Sequence, residues 1–131
     1  MKDARKFEHT AASGDSFDST VEKLVAQIEK GGMRVLHIHD VKATLAQKGF
    51  VIEPFKMIEF CRADHAHALF SADPKVGVFL PCKISVYVRN GVTYASALDF
   101  KYVAHALGDE SLSKTLLEVD AIIRGLISFS K

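Results

Sequence analysis

Apolar and polar positions along the chain switch between a period of about two and a period of about 3.6, and each switch marks an element. Residues 5–11 predict a first strand with Phe7 and His9 on one face, closed by Ser13-Gly14-Asp15. A helix follows, capped by Ser16 or Asp15. Its Val21, Leu24, Val25 and Ile28 fall at i, i+3, i+4 and i+7 and make one apolar stripe. Gly31-Gly32 ends it, because glycine takes a left-handed cap conformation without a side-chain clash. Met33 to His39 is the second strand, apolar on both faces through Val35, Leu36 and Ile38, which predicts an inner place in the sheet. Asp40 caps a short helix over Val41–Lys48, terminated by Gly49. Beyond the break at Glu53-Pro54, Phe55–Arg62 is the third strand, and Asp64 is expected to cap a helix that runs to Ala72.

The second half follows the same logic. Val76–Pro81 is apolar but irregular, and Gly77 and Pro81 keep it out of a central ladder. Cys82–Arg89 alternates cleanly, with Cys82, Ile84, Val86 and Val88 on one face and Lys83, Ser85, Tyr87 and Arg89 on the other. Asn90-Gly91 predicts a tight hairpin into the fifth strand, Val92–Leu98. A short helix over Asp99–Leu107 and a joint at Gly108-Asp109 lead to the last helix, about Glu110–Phe129. Its stripe is Leu112, Leu116, Val119, Ile123 and Leu126. Gly125 costs that helix roughly 1 kcal/mol relative to alanine, which points to close packing against a neighbour. The element order predicts one domain over residues 1–131 of the α+β class. Its form is a two-layer sandwich on a mostly antiparallel five-stranded sheet, with a β-α-β-β-β-β-α core and short inserted helices.

Composition narrows the function classes. A chain of 131 residues with 48% hydrophobic and 25% charged side chains is an ordinary globular domain. Seventeen basic against sixteen acidic side chains leave a formal charge of +1, and no Lys/Arg run stands out, so nucleic acid is not an expected partner. No stretch approaches the roughly 18 apolar residues of a membrane span. The charged start Met1-Lys2-Asp3-Ala4-Arg5 is unlike a secretory leader, and the expectation is a cytoplasmic protein. The two cysteines lie 21 positions apart, which fits neither a disulfide scaffold nor zinc-ligand spacing. Free thiols are expected.

Several stretches together resemble a known family. Met33-Arg-Val-Leu-His-Ile-His-Asp-Val41, Phe60-Cys61, His65-Ala-His-Ala-Leu69, Ala72-Asp-Pro-Lys-Val-Gly77 and Leu80-Pro-Cys-Lys-Ile-Ser-Val-Tyr87 are similar to the domain-of-unknown-function 302 family, over about residues 5–128. The resemblance implies a sheet-and-helix sandwich close in topology to the TATA-binding-protein fold, with a homodimer as the expected assembly. It brings no established activity. Where the family usually reads Cys-Asn-Pro, this chain has Cys61-Arg62-Ala63, which removes a turn-forming pair.

Candidate chemistry concentrates between Phe60 and Val88. Cys61 and Cys82 sit at strand ends that a short helix brings together, and Cys61 precedes that helix with Arg62 beside it. Both features favour a thiolate that would bind a thiophilic metal ion, or a sulfur or redox species. Inert packing explains the two cysteines equally well, because free cysteine behaves as a small hydrophobe, and a structural or dimerisation module is then the reading. A third reading makes one cysteine a nucleophile with His65 as its base, although no orienting group is visible in the sequence. His37 and His39 share one strand face and are a candidate metal pair, if a third ligand such as Cys61 or His9 arrives. His67 and His105 are expected to be bystanders.

Overall fold

The computed structural model describes residues 6–129. The predicted start of the first strand at Arg5 lies outside them. Five strands, β1 (Glu8–Ala12), β2 (Arg34–Asp40), β3 (Phe55–Cys61), β4 (Cys82–Arg89) and β5 (Val92–Leu98), form one sheet in the order β1-β5-β4-β3-β2. Every neighbouring pair is antiparallel. The α+β expectation holds. Helix α1 (Phe17–Lys30) carries the chain from one edge of the sheet to the other, and the remaining connections join neighbouring strands. Among the described residues no helix is long and apolar enough to cross a membrane.

One face of the sheet is dry. Ile58, Phe60, Ile84, Val86, Ala95 and Ala97 are buried there. Leu24 and Ile28 of α1, and Leu116 and Ile123 of α5 (Glu110–Leu126), join them in one core. Helices α3 (Ala63–Ala72) and α4 (Phe100–Leu107) both pack against α5, so α5 is the spine of the helical layer. The opposite face carries none of the long helices of the described residues. It presents a stacked ladder of Phe55, Tyr87 and Tyr94, with ring centroids 5.4 and 5.8 Å apart. Ser96 there is bonded to both Tyr87 and Thr10.

Local chemistry sets most boundaries. Ser16 caps α1 by accepting from the Ser19 N–H, and Asp40 caps α2 (Val41–Ala46) by accepting from Ala43. Asn90 and Gly91 both adopt positive φ, 53° and 78°, which the tight β4–β5 turn requires. Val76–Pro81 is not strand: Pro74–Val78 winds into a 3-10 turn that buries Val76 under α3.

Two expectations about packing fail. β2 is an edge strand, not an inner one. A register irregularity between Val35 and His37 throws Leu36 outward, 47% exposed, so its apolar side chain reflects a bulge rather than a second buried face. Among the described residues Gly125 meets no close neighbour: a Cβ built there would find nothing within 4 Å.

Candidate functional site

A cleft opens where the ends of β3 and β4 meet α3 and α5. Cys61 is the last residue of β3 and Cys82 the first of β4. Phe60 pairs with Cys82 in the ladder, which sets Cys61 diagonally across from Cys82. The cleft lies at the end of the sheet rather than on a face, so both thiols reach it despite the alternation of side chains. The first turn of α3 adds Arg62 and His65. All four sequence candidates, Cys61, Arg62, His65 and Cys82, therefore line one cavity, closed by apolar side chains such as Leu69 and Ile122. It holds about 240 Å³. That lies between the roughly 150 Å³ that accepts benzene and the roughly 300 Å³ at which typical ligand pockets begin.

Electrostatics divide the lining. Both cysteines are half-buried and joined by no disulfide. Burial, and secondarily the neighbouring Cys61, push the Cys82 thiol up to about 12, so Cys82 is a neutral thiol at physiological pH. His65 donates from Nε2 to Glu118 Oε1 of α5 at 3.1 Å. Glu118 is thus the orienting carboxylate that the sequence hides, because it lies 53 residues away. Among the described residues no hydrogen bond joins His65 to either thiol, so the base of the predicted nucleophile–base pair is oriented but not engaged. Asp64 does not cap α3. Arg62 stands at the N-cap without a capping bond. Asp64, the second residue of the helix, accepts from Arg62 Nε at 2.8 Å and from the His65 N–H at 2.9 Å. The Arg62 bond holds the Asp64 carboxyl below its ordinary value.

The family model described as domain of unknown function DUF302 matches residues 9–129, nearly the whole described chain. The chain belongs to the DUF302 family. A crystal structure of an uncharacterized conserved DUF302 protein from Bacillus stearothermophilus superimposes with a TM-score of 0.88. The match covers 95% of this chain and 98% of that one at 24% identity, a likeness of fold. No curated protein matches the chain.

The remaining histidines of this DUF302 domain part company. His37 and His39 do share the open sheet face, with ring centroids 4.4 Å apart, at the β2 edge. The third ligand imagined for them does not arrive from His9, which sits on β1 at the far edge and on the helix-covered face. His67 and His105 are exposed. His9 instead donates from Nε2 to Asp120 Oδ1 at 3.0 Å. Asp120, fully buried in α5, also accepts from the Phe100 N–H at 2.8 Å and from Arg124 Nε at 3.1 Å. Burial pushes this carboxyl up, but the bonds from His9, Phe100 and Arg124 outweigh it and hold the group below its ordinary value. Sequence reasoning missed Asp120. The clue was present: an acid directly after Val119, inside the buried stripe of α5, with an arginine four residues on.

Proposed function

We propose that this DUF302 domain binds a small, largely apolar molecule in the cleft between α3, α5 and the ends of β3 and β4. The observation that carries this reading is the convergence of Cys61, Cys82, His65 and Arg62 on one apolar cavity of about 240 Å³. An apolar wall with a few polar groups at one end is the usual build of a small-molecule site. Arg62, exposed at the mouth, suits an anionic or polar head group, and the two sulfurs give soft, polarisable contact to the body of the ligand. A sulfur-bearing ligand or a thiophilic ion fits the same wall. Ion ligation is the less favoured form, because it requires Cys82 to release a proton that its surroundings hold.

Octanoate is a suitable probe, with about ten heavy atoms, close to what a cavity of this size accepts. Titrated into the labelled protein and followed by amide NMR, it is expected to move resonances around Leu69, Cys82 and Ile122. Filling the cleft with Ala66→Phe should abolish those shifts while leaving the fold intact. No shifts at millimolar octanoate, or shifts that persist in the filled variant, overturn the reading. A parallel titration with Cd²⁺ tests the thiolate form, which predicts that the Cys61→Ser/Cys82→Ser variant binds one ion fewer than the wild type.

A second reading concerns assembly. The open sheet face carries the half-buried Phe55–Tyr87–Tyr94 ladder, with Phe7 and Val78 exposed at 59% and 83% on its rim. We infer that this face is where a second copy of the chain docks to make a homodimer.

A further inference from the structure

We propose that His37, His39 and Glu59 form a binding site for one divalent transition-metal ion of the zinc, nickel and copper class. His37 lies directly across from Glu59 on β3, and His39 directly across from Met57, so four donor-type side chains occupy a two-by-two block on the open face of the sheet. The imidazoles already meet, with centroids 4.4 Å apart at an interplanar angle of 77°. His39 Nε2 stands 3.3 Å from Glu59 Oε2. Two ligand atoms each about 2.0–2.1 Å from one tetrahedral ion are themselves about 3.3 Å apart, so this pair already has a shared-ion spacing.

Two imidazoles and a carboxylate are a borderline donor set that favours zinc, nickel or copper over magnesium or calcium. Three protein ligands leave a fourth position for water, with Met57 flanking it. The β2 edge leaves the block open to solvent: the His37 residue is exposed, and the His39 side chain is 41% exposed. Two cations share this face nearby. Lys83 is in register with Glu59 on β4, and Arg34 opens β2, yet among the described residues neither pairs with Glu59.

The cluster of His9, Asp99 and Asp120 is the instructive contrast. Its ligand atoms already lie within 4.8 Å of one another, whereas His37, His39 and Glu59 reach that convergence only when the exposed His37 ring turns toward the other two. However, the Arg124 guanidinium already bonds Asp120, and Asp99 is committed to the N–H groups that start α4. In that cluster the Arg124 guanidinium already supplies the positive charge that an ion would bring.

The test uses the full chain, stripped with chelator and titrated calorimetrically with Zn²⁺ and Ni²⁺. One ion per chain is expected. Affinity should fall by at least about tenfold in His37→Ala/His39→Ala, the scale on which even outer-shell partners of a metal matter. Glu59→Gln should weaken binding as well, and Cys61→Ser/Cys82→Ser should leave it unchanged. With Cu²⁺, electron paramagnetic resonance should show coupling to two nitrogens in the wild type and lose it in the double histidine variant. Thermal melts of each variant establish that it folds, as the exposure of these side chains predicts. The proposal is overturned by absence of binding at millimolar metal. It is equally overturned by unchanged affinity in either the histidine or the glutamate variant, or by loss of binding in the cysteine variant.

Discussion

Asp120 is a charge held in the core by three donors, so removing it leaves His9, the Phe100 N–H and Arg124 without their common acceptor. Breaking a buried ion pair from one side costs about 3 kcal/mol or more, and Asp120→Ala should lower urea-unfolding stability by that order. The sign of its pH dependence follows from the direction of its shift. The folded carboxyl lies below the ordinary 3.8, so as pH falls the unfolded chain takes up the proton first. Its contribution is complete above pH 3.8 and lost as pH drops through the lower folded value. A urea series in acid should therefore show Asp120→Asn with a shallower loss than the wild type, and equal slopes would refute this. Cys82 makes the opposite case. Its thiol is raised to about 12 from 9.0, so the unfolded chain ionises first on the alkaline side and stability declines as pH rises past 9.0. In Cys61→Ser, a disulfide reagent at mildly alkaline pH should modify Cys82 slowly in the native state and promptly in urea. A native rate equal to that of a free thiol would remove the assignment of a protonated, sheltered sulfur.

At the scale of elements, α5 and β2 show how far periodicity reaches. The stripe of α5 was legible because Leu112, Leu116, Val119, Ile123 and Leu126 repeat at helical spacing, and all five are buried. Gly125 belongs to the exposed side, with open space among the described residues where a side chain would stand. Gly125→Ala should therefore stabilise the protein by about 0.5–1 kcal/mol, seen as a melting temperature higher by a few degrees. An unchanged or lower value would mean that something packs on that position. β2 misled because composition alone cannot separate a central strand from an edge strand with a bulge. Leu36 counts as a second apolar face in the sequence, whereas in the sheet it turns out toward the mouth of the cleft. The cap of α3 misled for a related reason. Asp64 and Arg62 are two residues apart, and their mutual bond competes with capping.

At the scale of the molecule, one face of the sheet is sealed by helices and the other is left to solvent or a partner. The dimer reading predicts a sedimenting mass of twice the 14.4 kDa chain, and Tyr94→Glu, which sets a charge in the aromatic ladder, should return it to monomer. A wild-type monomer at high micromolar concentration would sink that reading and leave the cleft proposal untouched. The sheet order places β4 at the centre and the two edges far apart. That separation is why His9 and His37, both plausible ligands in the sequence, do not meet.

The chain itself determined the elements, the hairpin at Asn90-Gly91, the stripe of α5 and the sharing of one face by His37 and His39. Those follow from local dihedral preference and from side-chain period, and both are written along a single segment. Tertiary structure alone decided which distant residues meet. Glu118 reaches His65 across 53 positions, and His9 reaches Asp120 across 111. Glu59 stands opposite His37 only because β2 and β3 pair in that register. No local preference encodes such meetings, because they are set by how whole elements pack when apolar surface leaves water.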